Sequence, residues 1–321
     1  MPGSGTRNFL DPDHYEASLR RAQIKLIITC GADFKARLTW VELHHLQLLC
    51  CEEDLPRIGY VSFPSQLACI SFPASSAPLP VWRGTELQAE DILFHRPGDR
   101  LHQVTSGPSI WSVIALGPVQ LQEYGRALFG KRISWPAEGR VLRASARDAA
   151  RLRRLHAQAS RLAETKPKNL WHPEVARAIE QDLIYALLTC LTAARVREER
   201  ASKRHHALIM SRFEEVLTEH LTRPLSVPNL CELTGVVGRT LGWCCREFLG
   251  ISPSRYMLRR RLMQVRGALR NADPDMVTVT EIARRYGFTQ FGRFAGAYRA
   301  VFGESPSTTL KRIPQIRFSN P

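Results

Sequence analysis

The sequence predicts an α+β protein in which the strands precede most of the helices. Short β-rich runs, separated by Gly, Pro, Ser and Asp clusters, occupy the chain from about Ile24 to Leu116. Beyond Arg140 the helix formers Ala, Arg and Leu dominate, and from Ala207 onward apolar residues recur at helical spacing. A block of strands followed by blocks of helices is typical of an α+β chain, and 321 residues suit two domains.

The strand-rich block predicts a β-barrel or β-sandwich over residues 21–139. Its runs, which include IKLIIT, RLTWVEL, IGYVSF, LACISF and SIWSVIAL, are short and closely spaced, as in small all-β domains. Residues 1–20 are polar and contain Gly, so we expect an N-terminal tail there.

A helical region is expected over residues 140–200. Residues 144–164 are rich in Ala, Arg and Leu, and a second helix opens at His172-Pro173, with Pro at its first position. The apolar stripe of this second helix consists of Val175, Ile179, Leu183, Leu187 and Leu191. A stripe of this width needs a partner surface. It either packs on the β domain or forms a dimer interface, and the sequence leaves both interpretations open.

The positive charge is concentrated near the C-terminus. The formal net charge is +15, and residues 203–317 hold 19 Lys and Arg against 9 Asp and Glu. Of these cations 17 are Arg, whose guanidinium binds phosphates and guanine edges bidentately. The excess indicates a polyanionic partner such as nucleic acid. By charge alone, a basic domain without a nucleic-acid role remains an equal alternative.

The cysteines and the N-terminus favour a cytoplasmic protein. Eight cysteines include no C-x-x-C spacing, so reduced thiols are the simplest interpretation, and no cofactor is expected. The first ten residues lack the order of a secretory signal. Apolar runs fall short of the ~20 residues that a membrane span needs.

The helical C-terminal part contains an internal near-repeat. SVPNLCELTGVVGRTLGWCCREFLGISPSRYM, which begins at Ser226, aligns with TVTEIARRYGFTQFGRFAGAYRAVFGESPSTTL, which begins at Thr278. Each copy has a capping residue, a short helix, a tight turn at Gly235 or Gly287, and a longer second helix. This is the anatomy of a helix-turn-helix, in which the second helix enters the major groove of DNA.

These residues resemble the AraC/XylS family of bacterial regulators. The resemblance covers about residues 207–312 and rests on EIARRYGF, RFAGAYR and FGESPS in the second unit, RTL in the first and RLMQVRGAL between them. It implies a DNA-binding domain over residues 204–314, with two helix-turn-helix units joined by a long helix over about 253–269. The two units would read major-groove faces about one helical turn apart, ~34 Å.

The resemblance also implies which residues contact DNA. The positions carried over as base-facing are Arg239, Gly242, Trp243, Gln290, Gly292, Arg293 and Gly296. The positions expected at phosphates are Thr240, Arg246, Arg259, Arg260, Arg284, Arg285 and Arg299.

Several of these assignments have alternatives. Trp243 either contacts a thymine methyl group or caps the small core, and each arginine either clamps a phosphate or is merely solvated. Val237 replaces the Ser that often caps the first reading helix in the family, which weakens that helix start by up to ~1 kcal/mol. Glycine at three base-facing positions favours readout through DNA shape or backbone contacts.

A β-rich region ahead of such a domain resembles the cupin-like effector domain of the same family. Trp40, Trp82, Phe94 and Trp111 are candidates to line a pocket for a small-molecule effector, or else form core. FHRPGDRLHQV offers His95 and His102 as metal ligands, but no first cupin motif accompanies it. We expect no metal site.

The sequence thus predicts a ligand-responsive transcription regulator and not an enzyme. The expected partners are double-stranded DNA, RNA polymerase (implied by the resemblance), a small effector and a second copy of the chain. The alternatives are a cupin-type metalloenzyme with a DNA-binding tail, which lacks converging ligands, and a nonspecific nucleic-acid binder.

Overall fold

The computed structural model describes residues 3–19, 23–30, 33–74, 78–133, 140–197, 201–220 and 225–311. The chain divides into two compact units, residues 1–26 with 34–200, and residues 27–33 with 201–321. The first unit is mixed α/β and the second is helical, as the sequence predicts. The predicted domain boundaries at 139/140, 200 and 314 fall at or next to residues outside the described ranges.

Thirteen strands are present in the described residues. In chain order they are β1 (Gly3–Phe9), β2 (Gln23–Ile28), β3 (Ala36–Glu42), β4 (Leu46–Glu53), β5 (Arg57–Ser62), β6 (Ala68–Pro73), β7 (Val81–Trp82), β8 (Thr85–Glu86), β9 (Asp91–His95), β10 (Arg100–Thr105), β11 (Ser109–Leu116), β12 (Arg140–Arg143) and β13 (Arg195–Val196).

The strands form two separate sheets, so the expected closed barrel is not formed. An eight-stranded sheet has the order β1-β3-β4-β11-β6-β9-β12-β13, and a five-stranded sheet has the order β2-β5-β10-β7-β8. Side chains of the two sheets meet in a shared core, where Arg57 of β5 bonds to Glu53 of β4 and its guanidinium lies over the Trp111 ring. This is the sandwich alternative of the prediction.

The N-terminal residues are not a tail. β1 pairs antiparallel with β3 over its whole length, and α1 (Pro12–Ser18) follows under a cap by Asp11. Gly5 lies against the ring of Trp40, and a Cβ atom at Gly5 would stand 2.5 Å from that ring. The sequence does not predict this strand, because GSGTRNF lacks the alternation of apolar and polar residues that is typical of a half-buried strand.

Three helices pack on the eight-stranded sheet: α2 (Pro118–Phe129), α3 (Ala146–Thr165) and α4 (Pro173–Ala193). The stripe of α4 is buried at Leu183 and Leu187 in one core with Phe72 and Ile114 of the sheet. Of the two interpretations of this stripe, packing on the β domain is therefore observed. The region predicted as helical also contributes β12 and β13 to the sheet.

The second unit contains seven helices in its described residues. They are α5 (Ala201–Glu219), α6 (Val227–Thr234), α7 (Gly238–Leu249), α8 (Pro253–Asn271), α9 (Val279–Arg285), α10 (Phe291–Phe302) and α11 (Pro306–Lys311).

Local signals explain where these helices begin and end. Ser226, Ser252 and Thr278 cap α6, α8 and α9 through their side chains. Gly235, Gly250 and Gly303 adopt φ of 70–72° where α6, α7 and α10 end, a conformation that costs glycine little.

Candidate nucleic-acid interface

The first helix-turn-helix unit consists of α6 and α7. Ser226 and Asn229 form a reciprocal capping box at the start of α6. Leu230 of α6 and Leu241 and Phe248 of α7 are buried. The opposite face of α7 is left to solvent.

The second unit, α9 and α10, repeats this construction. Thr278 and Glu281 form the capping box, and the hydrogen bonds from Thr278 hold the pKa of Glu281 below its usual value. Ile282 of α9 packs with Phe294 and Tyr298 of α10 in one core. The Tyr298 hydroxyl donates to Thr309 Oγ1 at 2.8 Å and so ties α11 to this unit.

The positions predicted to face bases are exposed in both units, with one exception. Arg239 and Trp243 project from α7, and the Trp243 side chain is 62% exposed, so it does not cap the core. Gly242 is buried, because the guanidinium of Arg246 covers it, with both terminal nitrogens 3.7 Å from the position of a Cβ atom there. A direct base contact at Gly242 thus requires Arg246 to move aside.

In the second helix-turn-helix unit, the positions predicted to face bases are exposed, and two of them are glycines without a side chain. Gln290 is the exposed residue that precedes α10, at its N-cap, and Arg293 lies in the first turn of that helix. At Gly292 and Gly296 no atom lies within 4 Å of the position of a Cβ atom. A groove edge can approach the backbone of α10 closely at these two glycines.

Most residues predicted at phosphates are also available. Arg246, Arg284, Arg285 and Arg299 are exposed, and Thr240 is half-buried in the first turn of α7.

Arg259 and Arg260 are not free to bind phosphate, which corrects the prediction. Arg259 is 8% exposed and donates to the backbone carbonyls of Ile28 and Thr29 at 2.6 and 2.8 Å, within the second unit. Arg260 donates to Glu214 Oε2 and, at 3.1 Å, to Thr218 Oγ1. Both guanidinium groups are committed to internal partners, because these faces of α8 lie against protein.

Sequence reasoning missed the polar cluster that fixes α8 to α5. Glu214 is fully buried and accepts hydrogen bonds from Tyr256 and Arg260. Burial, and then the Glu214 charge, raise the pKa of Tyr256 well above its usual value. The partners lie on different helices and are about forty residues apart in the sequence. Because no local motif connects them, the sequence does not predict this cluster.

The four aromatic residues predicted to line an effector pocket do not lie together. Phe94 belongs to the core between the eight-stranded sheet and its helices. Trp111 donates to Glu53 Oε1 at 3.1 Å in the core between the sheets, and Trp40 lies on Gly5. Trp82 is buried near His95, at 6.4 Å between ring centroids.

A different set of residues lines an open cleft of about 560 Å³ in the first unit. The cleft lies at the ends of β1 and β4 and at the starts of β3 and β11. Its lining includes Phe9, Lys35, Arg37, Asp54 and Ser109. The Ser109 hydroxyl is buried and makes no hydrogen bond.

The two histidines weighed as metal ligands are buried in other roles. His95 stacks on Phe63 and its Nε2 lies 2.6 Å from Ser71 Oγ. His102 lies 5.0 Å from the Tyr60 ring, between centroids. No group of three or more His, Cys, Asp or Glu in the described residues is arranged to hold a metal ion.

The helices in the described ranges include none that is long and apolar enough to cross a membrane.

Two successive units, each with a capped supporting helix and an exposed second helix, define a tandem helix-turn-helix domain. Residues 230–312 match the family model described as a helix-turn-helix domain. Over 100 residues the chain is 40% identical to the probable thc operon regulatory protein of Rhodococcus erythropolis, covering 31% of this chain and 30% of that one. Over 101 residues it is 37% identical to the XylDLEGF operon transcriptional activator of Pseudomonas putida, covering 32% of each.

Among solved structures, the chain is similar to a probable AraC family transcriptional regulator from Rhodopseudomonas palustris. The two sequences are 35% identical, the match covers 32% of this chain and 95% of that chain, and the TM-score is 0.30. The match to the two operon regulators spans only about a third of the length of each of them. It carries a helix-turn-helix domain of the AraC/XylS family.

Proposed function

We propose that the protein is a sequence-specific regulator of transcription that binds double-stranded DNA through α7 and α10. The observation that carries the proposal is the matched exposure of two second helices, each supported by a capped first helix. The similar proteins named above are operon regulators, which supports the same function for this chain.

Each second helix enters the major groove and reads base edges in its first two turns. Arg239 and Arg293 donate bidentately to guanine, and Gln290 pairs with adenine or holds a phosphate. The backbone of α10 approaches the groove at Gly292 and Gly296, where shape contributes more than side chains do. The exposed arginines Arg246, Arg284, Arg285 and Arg299, together with Thr240, bind the phosphates on either side.

The first unit serves regulation in this proposal. A small effector binds the β-rich unit, two copies of the chain pair, and the bound complex activates transcription by RNA polymerase in the cytoplasm. The proposal of an activator rests on the similarity to the XylDLEGF operon activator. The open cleft beside Lys35 and Arg37 is the candidate effector site, since it combines apolar walls with polar groups.

Selection of bound duplexes from a random library at near-physiological salt tests the DNA-binding function. We expect a motif with two elements about one helical turn apart. Arg239→Ala should relax one element and Arg293→Ala the other. If no sequence is enriched and binding follows salt alone, the domain is only a polyanion-binding module and the proposal fails.

A further inference from the structure

Trp243 is a large apolar side chain on the exposed face of the first reading helix, and it is 62% exposed. An exposed indole on a free helix samples several rotamers, so a contact with a base orders the ring at a cost in conformational entropy. A neighbour that holds the ring in place before binding removes part of that cost.

His206 of α5 is such a neighbour. Its ring stands edge-on to the Trp243 ring, with centroids 6.2 Å apart and an interplanar angle of 81°. This T-shaped arrangement is one that aromatic pairs prefer. Both residues belong to the second unit, so the contact lies within one compact body.

The orientation of His206 is itself held by Glu247. His206 Nδ1 lies 2.6 Å from Glu247 Oε2, and the carboxylate accepts the Nδ1 hydrogen. Both side chains of this pair are largely shielded from solvent, with 16% and 23% exposure. Glu247 follows Trp243 by one helical turn on α7, so the same helix supplies the ring and the anchor of its neighbour.

We propose that His206 is a positioning residue for DNA recognition, which holds the Trp243 ring ready for an apolar contact with a thymine methyl group. The inference rests on the proposed function, because it needs a DNA site for α7. It adds α5, a helix outside the helix-turn-helix motif, to the residues that determine specificity. Thymine is the base expected at this position because its C5 methyl group is the apolar feature of the major groove.

The test compares duplexes that carry thymine or deoxyuridine at the position that Trp243→Ala relaxes in the selection experiment. Deoxyuridine lacks the C5 methyl group and keeps every other group of thymine. We expect the wild type to prefer thymine by about fourfold, which is the factor that burial of one methyl-sized apolar group provides. His206→Ala should lower this preference and leave affinity for random-sequence duplex unchanged.

Three further variants separate positioning from a general structural role. In a Trp243→Ala background, His206→Ala should have no further effect on the thymine preference. His206→Phe, which keeps a ring beside the indole, should retain more of the preference than His206→Ala does. Leu208→Ala, at an exposed position on α5, is the matched control and should bind like the wild type.

The outcomes are distinguishable. If the wild type enriches no sequence, the proposed function fails, and this inference fails with it. If the wild type enriches a motif but Trp243→Ala relaxes no position in it, the proposed function stands and the inference is overturned. The inference is also overturned if His206→Ala leaves the thymine preference intact, or lowers it equally in the Trp243→Ala background.

Discussion

Tyr256 of α8 donates its phenolic hydrogen to Glu214 of α5 at 2.5 Å, and both side chains are buried. Arg260 donates to the second carboxylate oxygen of Glu214. This arrangement fixes the helix that joins the two helix-turn-helix units against the first helix of the second unit.

Replacing Tyr256 with Phe should destabilise the protein, because it removes the hydrogen bond from the Tyr256 hydroxyl to the buried Glu214 carboxylate. We expect a loss of about 1–3 kcal/mol in the free energy of unfolding, measured by urea titration with circular dichroism. Tyr286→Phe, at a half-buried tyrosine of the same unit, is the control and should cost less. Equal losses in the free energy of unfolding of the two variants would show that the hydrogen bond from Tyr256 to Glu214 adds no stability.

The arginines of the second unit should divide into two classes by salt dependence. Arg285 and Arg299 are exposed, so replacing either with Ala should lower the slope of log K against log salt by about 1 and leave stability nearly unchanged. Arg260→Ala removes the guanidinium that pairs with the buried Glu214 carboxylate and should cost on the order of 3–5 kcal/mol of stability. Its salt slope, measured on the folded fraction, should match that of the wild type. A reduced slope for this variant would reinstate Arg260 as a phosphate contact.

Gly296→Ala should stabilise the free protein and weaken DNA binding. A Cβ atom at this position meets nothing within 4 Å, so the substitution should add about 0.5–1 kcal/mol through helix propensity. On DNA the added methyl group blocks the close approach of the α10 backbone.

Gly267→Ala is the matched control for this experiment. Gly267 lies within α8, and a Cβ atom there is equally free of neighbours. It should raise the melting temperature to a similar extent and leave affinity unchanged, as measured by thermal unfolding and by fluorescence anisotropy with the selected duplex. If Gly296→Ala also binds DNA like the wild type, the glycine does not serve close approach.

The first unit should lose stability in mild acid. Burial lowers the pKa of His95 from 6.5 to about 3 and that of His156 from 6.5 to about 4. Unfolding restores the ordinary pKa, so the unfolded chain takes up protons that the folded chain does not bind. The stability that these neutral histidines contribute is fully present above pH 6.5 and is lost as the pH falls toward their folded values.

Each of these histidines adds a slope of at most about 1.4 kcal/mol per pH unit within that window. His95→Gln does not titrate there, so its stability should fall less steeply between pH 6 and pH 4 than that of the wild type, in urea titrations at several pH values. Parallel slopes for wild type and His95→Gln would show that folding does not lower the pKa of His95.

The helices of the second unit follow closely from the sequence, because the signals for them are local. Ser226 and Thr278 mark helix starts, and Gly235 and Gly303 mark helix ends. α5 is the exception, because the helical pattern is predicted only from Ala207 whereas the helix begins at Ala201. The joining helix is predicted over 253–269 and observed over Pro253–Asn271.

The first unit is less predictable, because strand register and the pairing of distant residues are not local properties. Phe94 and Trp111 both lie on β-strands of one sheet, but they face opposite sides of it. No pattern of short strands reveals which side each aromatic residue faces. Arg259 contacts Ile28 and Thr29, which lie more than 200 residues earlier in the chain. The sequence gives no sign of so distant a contact, so it predicts the Arg259 guanidinium at a phosphate.

The second helices of the two helix-turn-helix units differ from the neighbouring helices in how they begin. α6, α8 and α9 start under a side-chain cap, whereas Val237 and Gln290, which precede α7 and α10, form no side-chain hydrogen bond to the first turn. The first amide hydrogens of a helix have no partner within the helix itself. Each cap accepts the amide hydrogen of the third residue of its helix, which is Asn229, Arg255 or Glu281. The equivalent amides of α7 and α10, those of Thr240 and Arg293, have no such cap. We therefore expect them to exchange their hydrogen with solvent more readily, and fraying to begin at the starts of these two helices.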